Sequence, residues 1–555
     1  MSIIWNGNFG GQSDSKFSGI AGSFAECVAV DGHSIPGVLT VYQKLAKNSG
    51  ATVTEFCKVA IAVSNGYTFW FSSTSGKIWA RSSGGSWTLA YTTAPAAGAA
   101  GCLGALEFNG YIYWATQSRL HRIAIGSADG AWAGEDLDWA TFGVTDDLFH
   151  PMALQYSLTG RHLFIGDGNQ VAEVNNAGTF DANVLDLNTP YRIKSMAPYD
   201  IDLLLGTYVA DTVNETQIIR WDTISPSWNT SDPIKENGIN AFISDDNYMY
   251  VNAGKAGNLY YYDGQYLIPF KKIPGAYSST KYGEVHPGSV ANLQGIPVFG
   301  FSNGLGNPAK QGVYSLGSYS RDYRKVMDLS YPISQGKVEG VQVGAVLVAG
   351  FDIFAAWECA ITATMTIANP CVVTLAAHGL SDGTSVVFTT TGALPTGITA
   401  GTAYFAKSTG TNTFNLYDTA AHAVTGGATG RVTTTGTQSG VHTITFSMVD
   451  KIDYSNKYAS AYVETMMLKQ KSRGVAKTLR KVSAYYNSLP ASTGATFYYS
   501  INGAAYVAMT SVTNSKLNEI YAKLTSGDIG SLQIKMAFTV SSNDAPVIEA
   551  IGVDF

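Results

Sequence analysis

Short apolar stretches recur about every 45 residues up to residue 300 of the chain. Each copy starts at a turn-forming position, runs through apolar and aromatic residues, and is followed by a second apolar stretch. The copies are GYTFWF at 66–71, GYIYWA at 110–115, RHLFIG at 161–166, DLLLGT at 202–207, NYMYVN at 247–252 and GIPVFG at 295–300. Strands buried on both faces give such continuous apolar runs, and this spacing indicates a β-propeller. A weaker unit at 343–358 leaves the number of blades open between six and seven.

The pattern changes twice after the repeat. From 360 to 446 the chain is rich in Thr, Gly and Ala and nearly free of charge; from 466 onward strand patterns return, with an Asn-Gly turn at 502–503. We therefore predict an all-β chain: a six- or seven-bladed β-propeller with an inserted small β-barrel-like module and a C-terminal β-sandwich. The predicted segments are an irregular N-terminal lead-in at 1–60, the propeller at 61–358, the inserted module at 359–446, a return to the propeller or linker at 447–465 and the sandwich at 466–555. Residues 453–468 carry the one longer helical pattern.

The composition suggests a chain whose surface is covered by neighbours. Charged residues make up 14% of the chain, against about 25% in an average soluble protein. An isolated soluble domain normally carries more surface charge, so we expect an oligomer, with a low-charge monomer as the alternative. The net charge of −6 argues against free binding to nucleic acid. We expect neither a signal peptide nor a membrane span, because the start lacks a basic and apolar leader and no apolar run approaches 18 residues.

The residue types that carry chemistry are scattered. The five cysteines form no CxxC pair, which predicts buried reduced thiols. The histidines form no HxH or HxxxH pair, so His121, His150, His162 and His286 are interpreted as structural and not as metal ligands. Acidic clusters at 134–138, 145–147 and 244–247 lack EF-hand spacing and are expected to be solvated turns. Five arginines that could bind a carboxylate show no grouping: Arg81, Arg119, Arg122, Arg161 and Arg192. We therefore predict a non-enzymatic protein without cofactor or metal.

One basic stretch stands out near the start of the predicted sandwich. It could contact an acidic neighbour or a phosphate, and the alternative is a solvated strand face. The candidate interaction residues are Lys469, Lys471, Arg473, Lys477, Arg480 and Lys481.

The uncharged segment resembles the small β-module related to the FCCH part of ubiquitin-activating enzymes, which many bacteriophage tail proteins carry. The residues that carry this resemblance are HGLSDGTSVVF at 378–388, GALPTGITAGTAYFA at 392–406 and NTFNLYDT at 412–419. The resemblance covers about 85 residues. It implies a compact β-barrel-like decoration and no ubiquitin chemistry, because the catalytic part of those enzymes is absent.

The whole chain resembles bacteriophage tail structural proteins of the propeller type, such as nozzle, hub or tail-tip proteins. The phrases IRWDTISPSW at 219–228, GKAGNLYYYDG at 254–264 and GVYSLGSY at 312–319 share their character. The resemblance implies a virion location, assembly in the host cytoplasm, and partners that are copies of this chain and other tail proteins. A nozzle position would also place the chain next to packaged DNA.

Two other functions remain open at this point. One is a host-attachment adhesin or fibre-base protein that binds surface glycans through propeller or insert loops. The other is a propeller glycoside hydrolase, although the Asp-box pattern of propeller sialidases is matched only loosely by SADGAW at 127–132. A glycosidase also needs two carboxylates at a set separation, which a sequence does not reveal.

Overall fold

The structure, a computed structural model, describes most of the chain. The described residues are 2–6, 9, 23–32, 37–93, 101–127, 132, 136–144, 146, 148–244, 248–273, 283–302, 311–319, 325–331, 341–469, 478–524 and 529–554. Almost all regular structure in these ranges is β-strand, as the sequence predicts.

Six antiparallel four-stranded sheets, blades 1 to 6, follow one another along the chain. Blade 1 contains Cys57–Ala62, Thr68–Ser72, Gly76–Arg81 and Trp87–Thr93. Blade 2 contains Gly104–Phe108, Tyr111–Ala115, Arg119–Ala124 and Asp136–Thr141, with a 3-10 turn at Ile125–Ser127. Blade 3 contains Met152–Ser157, Gly160–Asp167, Gln170–Val174 and Phe180–Asp186. Blade 4 contains Arg192–Tyr199, Asp202–Tyr208, Thr216–Trp221 and Thr230–Ile234. Blade 5 contains Ile239–Ser244, Met249–Ala253, Asn258–Tyr262 and Leu267–Lys272. Blade 6 contains Val290–Leu293, Ile296–Phe301, Gly312–Tyr319 and Lys325–Tyr331.

The recurrent apolar stretch of the sequence is the second strand of each of these blades. In blades 1 and 4 this strand, Thr68–Ser72 and Asp202–Tyr208, is buried along its whole length. Neighbouring blades cover both faces of the strand, which explains why apolar residues do not alternate with polar ones.

A strand from the N-terminal segment completes blade 7. Val341–Ala349, Asp352–Met365 and His442–Lys457 pair in that order, and Gln43–Lys47 adds the outer edge with Leu45 opposite Ile452. The innermost strands contact one another in blade order, and that of blade 7 returns to that of blade 1. Within the described ranges, the propeller is therefore a closed ring of seven blades.

The inserted module is a closed barrel of six strands that grows out of blade 7. The strands in barrel order are Asp352–Met365, Val372–Thr374, Thr413–Tyr417, Ala403–Gly410, Thr384–Thr390 and His442–Lys457. A short helix, Ala420–Thr425, is capped by the side chain of Thr419. The first and last barrel strands are also strands of blade 7, so one hydrophobic core runs from Val343 in the blade to Phe414 in the barrel.

The remaining strands form a two-sheet sandwich that both ends of the chain build together. The first sheet contains Ser2–Asn6, Val547–Asp554, Lys481–Ser488, Glu519–Lys523 and Ser511–Asn514. The second contains Phe24–Val28, Tyr462–Thr465, Ser531–Thr539, Gly494–Ile501 and Val507–Ala508, with Leu468–Lys469 beside Ser531–Thr539. A strand pair, Val30–Asp31 and Thr40–Val41, follows the second sheet along the chain. The predicted Asn-Gly turn follows Gly494–Ile501, with φ of 53° at Asn502 and 78° at Gly503.

Three sequence-based boundaries differ from the structure. The described part of the segment 1–60 is not an irregular lead-in, because most of its strands belong to the sandwich and to blades 1 and 7. The segment 447–465 returns to the propeller, as predicted, because it contains most of the blade 7 strand His442–Lys457, but it is no linker, since all of Tyr462–Thr465 belongs to the sandwich. The helical pattern at 453–468 is strand as well, because pairing with Gln43–Lys47 and Ser531–Thr539 overrides its weak local preference.

Candidate functional site

The two ends of the propeller differ in what they expose. Since the blade strands are antiparallel, the turns after the first and third strands lie at one end, which we call the turn end. The connections between blades lie at the other, which we call the crossover end. The described polar clusters near the axis lie at the crossover end, and the most exposed apolar side chains of blades 3 to 5 lie at the turn end.

A pocket opens on the propeller axis at the crossover end, with about 470 Å³ of empty space, part of it open to solvent. We call it the axial pocket. Blades 1 to 4 and 6 each contribute to its wall, because each sends its innermost strand or the connection before it toward the axis. The wall contains Lys58, Val59, Cys102, Leu103, Leu148, Phe149, Pro151, Lys194, His286, Pro287 and Gly288.

The two lysines of the pocket differ in their surroundings. Lys194 is 6% exposed; its Nζ donates to Asn240 Oδ1 at 2.7 Å and lies 3.2 Å from Glu284 Oε2. Its ammonium also lies 5.2 Å from the centre of the Phe149 ring, within cation–π range. Lys58, in contrast, is exposed and makes no hydrogen bond or ion pair with any residue that the structure describes. One lysine is therefore part of the wall and the other is available to a ligand.

Glu284 and His286 set the charge around Lys194. Burial acts to raise the pKa of Glu284, but the charges of Lys194, His286 and Lys58 outweigh it and lower that pKa to about 2. Burial lowers the pKa of His286 to about 4, although the carboxylate of Glu284 opposes this shift. Near neutral pH the first group is a carboxylate and the second a neutral imidazole. The Nδ1 atom of His286 lies 3.8 Å from Glu284 Oε1.

A chain of amide side chains fixes this group. Asn240 Nδ2 donates to Asn252 Oδ1 at 2.9 Å, and the backbone N–H of Val285 donates to the same oxygen at 3.0 Å. Glu284 and Ser302 exchange two backbone hydrogen bonds at 2.9 and 3.0 Å. The charged pair is therefore held from blades 4, 5 and 6 at once, which is an arrangement suited to a fixed binding wall.

A second buried polar group positions the apolar wall of the pocket. The guanidinium of Arg192 grips Asp146, whose Oδ1 accepts the backbone N–H groups of Leu148 and Phe149 at 2.8 and 3.2 Å. The ring of His150, fully buried, stacks on Phe142 with 4.3 Å between ring centres. These contacts order the connection into blade 3 and present Leu148 and Phe149 to the axis.

The turn end carries an arc of exposed apolar side chains across blades 3 to 5, which we call the apolar arc. Hydrogen bonds join the turns that carry it, for example from Ser157 Oγ to Thr223 O at 3.1 Å and from Gln155 Nε2 to Asp200 O at 3.1 Å. Its members and their exposed fractions are Tyr156 (69%), Leu158 (80%), Ile201 (71%), Ile224 (53%) and Tyr266 (67%). Carboxylates flank it.

Two of the flanking carboxylates are locked in the charged form by their own turns. Hydrogen bonds from Ser225 and from the backbone of Ile224 outweigh burial and lower the pKa of Asp222 to about 2. The backbone N–H groups of Tyr266 and Gln265 lower the pKa of Asp263. The arc is thus apolar with charged carboxylates on its rim, where the exposed Arg161, opposite Tyr156, also lies.

The predicted basic surface is only partly within the described residues. Lys469 ends the strand Leu468–Lys469, and Arg480 is exposed just before Lys481–Ser488. Lys481 is paired with Glu519 at 2.5 Å, and this contact raises its pKa although burial acts to lower it. Lys471, Arg473 and Lys477 lie outside the described residues. Arg480 is therefore the one candidate whose side chain the structure shows exposed.

The other candidate chemistry stays dispersed. Across the described ranges, no three His, Cys, Asp or Glu side chains lie close enough together to hold a metal ion. All five cysteines are buried and free, as predicted. Of the candidate arginines, Arg81 bonds Asn48 at 2.9 Å and Arg122 stacks over Trp139 at 4.2 Å, on different blades. The acidic clusters at 134–138, 145–147 and 244–247 lie largely outside the described residues.

Sequence reasoning missed Lys58, Lys194 and Glu284. The apolar repeat marks the second strand of each blade, whereas these three residues lie on the innermost strands or on the connections before them. The signal was nevertheless present, because Lys194 is a lysine inside an otherwise uncharged stretch, IKSMAPY, that directly precedes a repeat copy.

No helix in the described parts of the chain has the length and apolar character needed to cross a membrane.

Comparisons with known proteins find similarity to propeller structures. No protein-family model and no curated protein matches the chain. A streptogramin B lyase structure is 9% identical with a TM-score of 0.40, over 57% of this chain and 94% of that one. Virginiamycin B lyase from Staphylococcus aureus is 11% identical with a TM-score of 0.39, over 56% and 95%. The Neurospora crassa Pan2 WD40 domain is 9% identical with a TM-score of 0.34, over 58% and 94%. At these identities the likeness concerns the fold alone, and the chain is an all-β protein built on a β-propeller.

Proposed function

We propose that this chain is a non-enzymatic structural subunit of a bacteriophage tail, assembled in the virion with copies of itself and with other tail proteins as a ring, tip or nozzle. The observation that carries the proposal is the way the barrel joins the propeller. Its sequence resembles modules of phage tail proteins, and it is attached by strands and not by a linker.

The attachment is stiff because the same strands serve both bodies. Asp352–Met365 and His442–Lys457 pair without interruption from Phe354 opposite Lys451 to Ala363 opposite His442. Trp357 lies fully buried where blade and barrel meet. A module held in this way projects at a fixed angle, which suits a particle component that must keep its neighbours in register.

The apolar arc supports assembly with a second copy of this chain. Three of its five members are aliphatic, and aliphatic side chains bury well against protein but offer no ring face to a sugar. Its carboxylate rim requires a basic or neutral partner, and the exposed Arg480 with the basic stretch around it supplies the opposite charge on the same chain. A head-to-tail contact of this kind closes into a ring when its rotation allows.

The molar mass of the isolated chain in solution tests the assembly. We expect an oligomer that the double substitution L158S/I201S converts to a monomer with unchanged thermal stability, because both side chains are exposed and contribute nothing to the core. The matched control is Leu517→Ser, which removes a leucine of 62% exposure from a turn in the sandwich and should leave the oligomer intact. A monomeric parent chain, or an arc variant that remains oligomeric, would contradict the assembly proposal.

Particles made from the genome that encodes this chain test the location. Mass spectrometry should find the chain in purified virions, and an electron-microscopy map should lose one projecting density per copy when residues 366–441 are replaced by a short turn. Normal tailed particles in which mass spectrometry does not find this chain would contradict the proposal. Binding of host lipopolysaccharide by the monomer, abolished by Tyr266→Ala, would instead favour the adhesin function.

A further inference from the structure

We propose that the axial pocket binds a small organic monoanion, a carboxylate on an apolar body, with Lys58 as the cation that meets the carboxylate. This site is independent of the apolar arc, because it lies at the opposite end of the propeller.

The wall is apolar apart from its cations. Leu148, Phe149 and Pro287 face the same space as the two lysines, and none of the described lining residues is acidic. Ligand pockets commonly have this composition: an apolar lining with a few placed polar groups. An apolar body against Leu148, which is 42% exposed in the empty pocket, would be removed from water on binding.

The charges around the pocket favour a single negative charge. Glu284 offsets Lys194, and His286 is neutral near pH 7, so neither contributes an excess charge. The charge of Lys58 acts on Glu358 through space, but Glu358 Oε2 accepts its hydrogen bond from Ser447 Oγ at 3.4 Å. Lys58 therefore remains the one lining cation without a contact partner among the described residues.

The unsatisfied hydrogen-bonding capacity of the wall is a separate observation. The Nε2 atom of His286 is shielded from solvent and has no hydrogen-bond partner among the residues that the structure describes. Buried polar atoms in native proteins are almost always hydrogen-bonded, so a hydrogen-bond partner for this nitrogen is expected at this edge of the pocket. A bound molecule, or a water carried with it, would supply the missing partner.

Titration with benzoate near neutral pH, followed by calorimetry or saturation-transfer NMR, tests the site in the full-length chain. We expect benzoate to bind in the millimolar range or tighter, and benzamide, its neutral counterpart, to bind at least several-fold more weakly. Acetate lacks the apolar body and inorganic phosphate carries excess charge, so both should also bind more weakly than benzoate.

Lys58→Gln should reduce benzoate affinity about tenfold, as expected when one charged hydrogen bond is lost. The variant should still fold, because the Lys58 side chain is exposed and makes no hydrogen bond or ion pair with a described residue, and a thermal melt checks this. Lys516→Gln, which removes an exposed lysine from the sandwich, is the matched control and should bind like the parent. Equal binding of benzoate and benzamide, unchanged affinity in Lys58→Gln, or no binding of benzoate at millimolar concentration would each overturn the proposal. The oligomer formed through the apolar arc would be unaffected by any of these results.

Discussion

At the scale of single residues, the axial pocket shows how the interior of a ring changes the chemistry of ordinary side chains. Lys194 stands 90 residues before Glu284 in the sequence, and the ring brings its ammonium to 3.2 Å from Glu284 Oε2, with His286 two residues further on. Neighbouring positive charges lower the pKa of Glu284 to about 2 against the effect of burial, and burial lowers the pKa of His286 to about 4 against the effect of the carboxylate, so that near neutral pH the pair is an anion beside a neutral ring.

The lowered pKa of His286 predicts a loss of stability in acid. The unfolded chain binds a proton at this residue near the ordinary pKa of 6.5, whereas the folded chain binds it only near 4, so the unfolded state gains protons first as pH falls. We expect this loss to reach on the order of 3 kcal/mol at the acid end of that window. This acid-induced loss of stability should be absent from His286→Gln. The difference in melting temperature, variant minus parent, should therefore increase as the pH is lowered from 6.5 to 4.

The comparison with the variant is needed because another buried group acts in the opposite direction. Burial raises the pKa of Asp167 to about 7, so this carboxyl takes up its proton in the folded state first and stabilises the fold as pH falls. His422→Gln, at a partly exposed histidine in the barrel, serves as the control. Parallel curves of melting temperature against pH for the parent chain and His286→Gln would refute the assignment.

At the scale of elements, the second strand of a blade ends where the next blade comes closest. A Cβ on Gly206 would lie 2.6 Å from Ile239 Cγ2 of blade 5, and one on Gly166 would lie 2.8 Å from Ile193 Cγ2 of blade 4. A similar approach occurs at Gly300, against Val343 of blade 7. These glycines are the last residues of the apolar stretches LFIG, LLLG and PVFG. The repeat therefore marks a strand and also a position where the next blade leaves no room for a side chain.

Gly206→Ala is therefore expected to destabilise the chain by about 1–3 kcal/mol through overpacking between blades 4 and 5. Gly126→Ala is the matched control, because a Cβ there meets nothing within 4 Å. Chemical denaturation of both variants checks this expectation. Equal denaturation midpoints for the two variants would contradict this prediction, because they would show that blades 4 and 5 accommodate the added methyl group without a loss of free energy of unfolding.

A second prediction at this scale concerns Gln43–Lys47, the strand that completes blade 7. Leu45 is 3% exposed and belongs to the core shared by blade 7 and the barrel. Leu45→Ala should cost about 2–5 kcal/mol and should speed amide exchange in His442–Lys457, its partner strand. Lys44→Ala, beside it at the surface, should change neither quantity appreciably. Uniform loss of protection over all seven blades in L45A would mean that the closing strand is not a local unit.

The sequence predicted what is local and periodic, and missed what is paired over long distances. The copies from GYTFWF to GIPVFG mark second strands correctly because burial on both faces leaves an apolar run. Gln43–Lys47 carries two lysines and a glutamine in five residues, and its role depends on a partner strand about 400 residues away. The axial pocket was not predicted for the same reason, since its residues come together only when the ring is closed.

At the scale of the whole molecule, the two ends of the chain are interleaved. Ser2–Asn6 pairs with Val547–Asp554, and Phe24–Val28 pairs with Tyr462–Thr465. The propeller and its barrel thus lie, in sequence, between two halves of one sandwich. The chain passes between the sandwich and blade 7 at Gln43–Lys47 and again at His442–Lys457, and these two paired strands connect the two bodies side by side.

This interleaving also governs when the protein can fold during its synthesis. Ser2–Asn6, Phe24–Val28 and Gln43–Lys47 have no partners until the strands between residues 442 and 554 have been made. The six blades in between can form as they emerge, but the seventh stays open until residue 457 has been made, and the sandwich is incomplete until residue 554 has been made. A prematurely terminated chain would therefore expose the unpaired edge of Gln43–Lys47 and half of a sandwich core to chaperones and proteases, so that only finished copies are offered for assembly.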